Sequence, residues 1–84
     1  MVLQALQNLR TADLKVRELL NGSERSWVIG WLTSRNGVNG ALWREENGAR
    51  LEVEYDADLV NGPELLDLLQ ACGVHARPVL PRRG

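Results

Sequence analysis

The chain has 84 residues, enough for one domain with a modest core that takes about 60–65% of its unfolded surface out of water. Hydrophobic residues make up 44% and charged residues 25%, as in an ordinary globular protein. Ten basic and 11 acidic residues are interspersed to a formal charge of −1, so no single-sign field is expected to attract nucleic acid or an anionic membrane.

Val2, Leu3, Leu6 and Leu9 fall at helical spacing, which predicts a short amphipathic helix within an extension over residues 1–10. The domain proper is expected over residues 11–80, with a tail at 81–84 whose Arg82-Arg83 is too short for a nucleic-acid arm. Leu14, Val16 and Glu18 alternate with Lys15 and Arg17, a strand pattern over Leu14 to Leu20. Asn21 or Ser23 then caps a helix, and Glu24 stands three residues after Asn21 in capping-box position. Trp27, Val28, Trp31 and Leu32 form the apolar stripe of that helix, and Asn36-Gly37 ends it through a left-handed glycine.

Val38 to Glu45 and Ala49 to Tyr55 read as two strands around Asn47-Gly48, a hairpin signal. A two-residue turn would turn Trp43 to the open face. A three-residue loop over Glu46, Asn47 and Gly48 sets Trp43 opposite Leu51 in the core, and it is preferred because it buries Trp43 rather than Leu42. Asn61-Gly62-Pro63 opens a second helix, with proline in the first turn. Leu65, Leu68, Leu69 and Cys72 are its buried stripe, and Gly73 stops it. Val74 to Val79 is a last strand, placed at a sheet edge by Pro78 and Pro81.

The order strand, helix, strand, strand, helix, strand is that of an α+β, ferredoxin-like βαββαβ sandwich. Two helices cover one face of a four-stranded antiparallel sheet. Many functions share that fold, so local residues must discriminate. The loop Leu19 to Glu24 has one glycine and an acidic residue, which does not make a phosphate cradle. The first strand lacks the aromatic residues that stack RNA bases, and Tyr55 of the third faces the core. No serine has a usable histidine and acid beside it, and the carboxylates of the hairpin read as a solvated face. No enzyme is expected.

Asn36-Gly37-Val38-Asn39-Gly40-Ala41, Leu51 to Asp56 and Leu65 to Gly73 together resemble the heavy-metal-associated domains, small copper- or zinc-carrying units. These occur as free chaperones and as amino-terminal domains of metal-pumping P-type ATPases. The resemblance covers roughly residues 14–79 and rests on packing and turn positions. It places the cysteine pair of the family at Asn21 and Glu24, so the thiolates that select Cu(I) or Zn²⁺ are replaced by hard, weak ligands. The topology gathers the loops at 21–24, 46–48 and 73–74 at one end, which brings Cys72 and His75 toward Glu24. That set is the alternative metal site, for copper or zinc; otherwise no cofactor is expected. Cys72 reads more simply as a buried helix residue, and His75 as a solvated one.

The resemblance thus implies a non-catalytic interaction or regulatory module in metal transport or homeostasis. Its expected partner is another protein, a metal-transporting P-type ATPase or a second domain of this kind, with pairing of two copies through a sheet edge as a further option. Trp27 and Trp31 are the expected contacts, together with Val2, Leu3, Leu6 and Leu9. One cysteine excludes an internal disulfide and fits a reducing compartment. No apolar run approaches the roughly 18 residues of a membrane span, and residues 1–10 lack a signal-peptide pattern. The expected setting is the cytoplasm.

Overall fold

Eight residues of Ala49–Asp56, alternating inward and outward, form the strand on which the fold is assembled. The structure is a computed structural model that describes residues 8–45 and 48–79. In chain order its elements are β1 (Leu9–Val16), α1 (Gly22–Thr33), β2 (Val38–Glu45), β3 (Ala49–Asp56), α2 (Gly62–Ala71) and β4 (Ala76–Pro78). The sheet order is β2-β3-β1-β4, and every pairing is antiparallel. This is the expected α+β, ferredoxin-like arrangement, with β2 and β4 at the edges.

The core lies between the helices and one face of the sheet. Leu51 and Val53 of β3, Leu32 of α1, and Leu65 and Leu69 of α2 are completely shielded from water. Leu14, Val16, Val28, Val38, Val60 and Val74 complete the buried set. Truncating one such leucine to alanine typically costs about 2–5 kcal/mol, a large share of what holds a small domain together.

Glu45 pairs with Ala49 and Trp43 with Leu51, so the hairpin connection is the three-residue one. Gly48 has φ +104°, as the bulge position of such a loop requires. Trp43 packs against the core and donates its indole N–H to the carbonyl of Arg25 at 3.1 Å. At the other end of β2 the pairing changes register between Val38 and Gly40, which leaves Asn39 as an extra residue. Without that bulge Val38 would face away from Ala41 and Trp43. With it, all three point at the helices.

Three elements depart from the expected bounds. β1 begins at Leu9 and ends at Val16, rather than running from Leu14 to Leu20, because it pairs with β3 from Leu9↔Asp56 to Lys15↔Arg50. Leu9 therefore belongs to a strand and not to a helix; the rest of the expected amino-terminal helix, residues 1–7, lies outside the described residues. β4 keeps only Ala76–Pro78 of the expected Val74 to Val79. Finally, α1 stops at Thr33 with Ser34 as its cap, ahead of Gly37.

Gly37 serves the next turn. Its φ is +100°, and a Cβ there would lie 2.6 Å from Val60 Cγ2 and 2.9 Å from Leu59 Cβ. Gly30, within α1, has open space around it. Gly37→Ala is therefore expected to lower unfolding stability by about 1–3 kcal/mol, whereas Gly30→Ala raises it by about 0.5–1 kcal/mol. Urea unfolding of the two variants checks the opposite signs.

Candidate functional site

Both helices start on the same device. The Asn21 side chain accepts from the Glu24 N–H, and Glu24 Oε1 accepts from the Asn21 N–H, each at 2.8 Å. Asn61 and Glu64 repeat the arrangement at the same distances, with Pro63 in the first turn of α2. A reciprocal cap of this kind satisfies two donors that a helix start leaves open. The Glu24 carboxylate is thereby committed to the backbone.

Cys72 caps the end of α2, and Gly73 follows with φ +89°. The thiol is partly buried, points at the Leu69 carbonyl 3.2 Å away, and packs against the core. Burial pushes its pKa up.

His75 is exposed and held by a residue from the loop after β1. Glu18 Oε1 accepts the His75 backbone N–H at 2.8 Å, and Glu18 Oε2 lies 2.6 Å from Nδ1 of the ring. Arg17 N–H donates to the His75 carbonyl at 2.8 Å in the same strap. The side-chain hydrogen bond with His75 is the main cause of a Glu18 pKa below the ordinary glutamate range. The sequence pattern places Glu18 in a strand and gives no sign of this partnership, because the strand ends two residues earlier.

The structure thus assigns Glu24, Cys72 and His75 to separate tasks. Among the described residues, no three His, Cys, Asp or Glu side chains form a group able to hold a metal ion. The donors present also do not fit the thiolate-held ion that the family resemblance implies. Cys72 is the one thiol among the described residues, and the Glu24 carboxylate is occupied by the helix cap, so the paired thiolates of that family have no counterpart here.

What the α1 end does present is apolar surface. Trp31 is partly buried and donates its indole N–H to the Leu68 carbonyl of α2 at 2.8 Å. Trp27 stacks on it with ring centroids 5.7 Å apart and planes 7° from parallel, while the Arg35 guanidinium covers the Trp31 ring at 3.9 Å. Trp27 remains 57% exposed. Leu19, in the loop that leads into α1, is 97% exposed, although the sequence pattern places it in a strand. On the sheet side of the helix, Arg25 pairs with Glu45 at 2.8 Å and lies over the Trp43 ring at 5.1 Å. The two expected contact residues therefore differ: Trp31 anchors the helices to each other, and Trp27 rides on it toward solvent.

Among the described residues, no helix is long and apolar enough to cross a membrane. The chain matches no family model, and no curated protein is significantly similar to it.

A depressed carboxylate pKa means that the Glu18 contribution to stability is complete at and above the ordinary glutamate range and is lost as pH falls through the lowered value. The expected result of following the Glu18 carboxyl ¹³C shift against pH is a midpoint below that of an unstructured glutamate. In His75→Ala the midpoint moves back up, since the largest cause of the shift has been removed.

Proposed function

We propose that this domain is a non-catalytic interaction module, similar to the heavy-metal-associated domains, that meets a protein partner with the α1 end where the family holds metal. The observation that carries the reading is the exposure of Leu19, in the loop before α1, and of Trp27, in the middle of α1. An indole held by stacking loses little freedom on contact, which favours it as an interface anchor. Reading the partner as a metal-transporting P-type ATPase or a second domain of this kind follows from the family resemblance alone. So does the setting in metal homeostasis, whereas the cytoplasmic location is proposed from the single cysteine and the lack of a long apolar run.

The test compares the native chain with Trp27→Ala and Leu19→Ser, both exposed positions whose variants should fold. The native chain is expected to retain a partner from cell extract, or to dimerise as concentration rises. Each substitution is expected to weaken the purified interaction by about tenfold or more. Recovery of no partner and no dimer, or equal binding by all three chains, overturns the reading. Titration with Cu(I) and Zn²⁺ is the second arm, with no submicromolar binding expected. Such binding, lost in Cys72→Ala and His75→Ala, would replace the interaction reading with a metal-carrier one.

A further inference from the structure

The face of the sheet away from the helices has an ordered arrangement of charge. Arg44 pairs with Arg50, Arg50 with Lys15, and Lys15 with Arg77, so one cation from each of the four strands stands in a single row across the sheet. The row lies at the end where β1 leads into α1. Like charges directly opposite one another repel, and such rows are destabilising unless something neutralises them.

Half of this row is neutralised from within. Arg44 makes two hydrogen bonds to Glu52, at 3.0 and 3.3 Å, and Arg50 reaches Asp13 with both Nε and Nη2. Glu52 and Asp13 face each other in the next row, and both are taken up by these contacts. The other half is not. Among the described residues, no ion pair is formed by Lys15 or Arg77, nor by Arg17, which follows Lys15 on the same strand side. The carboxylate close to them in the fold, Glu18, is held by the backbone and ring of His75. A cavity of about 350 Å³ lies here, lined by Lys15, Val16, Arg17, His75, Ala76 and Arg77. That volume is at the small end of ligand sites.

We infer that Lys15, Arg17 and Arg77 form an anion site on the open sheet face, one that takes a phosphate-bearing ligand. Two guanidinium groups offer planar forks that match tetrahedral oxyanions, and the lysine adds a point charge. Bound phosphate would supply the negative charge that Asp13 and Glu52 supply to the other half of the row. His75 borders the site with its Nδ1 side turned to Glu18. The site lies on the face opposite the helices that carry Trp27, so it stands or falls separately from the proposed protein interface.

The full chain titrated with sodium pyrophosphate, followed by amide NMR, tests the inference. Saturable shifts are expected at Lys15, Arg17, His75 and Arg77, with about tenfold or greater weakening in the double variant Lys15→Gln/Arg77→Gln. Arg44→Gln, at the neutralised end, should change affinity by less than about twofold. Vesicles of phosphatidylcholine with and without phosphatidylinositol bisphosphate separate a free phosphate ligand from a lipid headgroup. Binding to the phosphoinositide vesicles without pyrophosphate shifts assigns the site to a headgroup. Absence of both, or binding that the Lys15/Arg77 variant leaves intact, overturns the inference.

Discussion

The register of β3 between β2 and β1 is the constraint on which the rest of this molecule depends. Side chains of a strand alternate with period two, so one pairing scheme decides what is inside, what is outside and what stands next to what. Here it puts Leu51 and Val53 in the core and sets Trp43 against Leu51 under α1. A slip of one residue on β2 would bring Leu42 in and expose Trp43. The bulge at Asn39 completes the scheme, because it lets Val38 join Ala41 and Trp43 on the inner face despite the odd spacing between them.

The same register prepares the end of the domain that carries its surface features. Trp43 holds the first turn of α1 through the Arg25 carbonyl, and Arg25 returns over the Trp43 ring to Glu45. Glu18 ties the exit of β1 to the entry of β4 through His75. Glu24 caps α1 and His75 joins this strap through its backbone and Nδ1. Leu19 before α1 and Trp27 on it are exposed, which is why the proposed reading turns on a partner protein.

Much of the fold was legible because local rules and tertiary demands agree. Asn21 with Glu24 and Asn61 with Pro63 announced helix starts, and Gly48 and Gly73 announced backbone reversals. The three-residue hairpin is the register that buries a tryptophan. Other features were hidden for identifiable reasons. The start of β1 is set by the length of β3, since Leu9, Arg10 and Thr11 carry no inward apolar alternation of their own. The bulge had only Gly40 as a signal. The exposed Leu19 was invisible because a leucine near a strand pattern is ordinarily counted as core. The partnership of Glu18 with His75 joins residues 57 apart in the chain. Least legible was the charge pattern: basic and acidic residues interspersed along the sequence become separate rows once three registers align them. Net charge described the whole and concealed the arrangement.

Cross-strand nuclear Overhauser contacts measure that alignment directly. Hα–Hα or HN–HN contacts between directly opposed residues are expected to link Arg44 with Arg50, Arg50 with Lys15, and Lys15 with Arg77, all four in one row. Hα–Hα or HN–HN contacts of directly opposed residues displaced by one position, such as Arg44 opposite Leu51 or Lys15 opposite Leu51, would contradict it, since they would exchange the two faces of a strand and dissolve both the core and the cationic row.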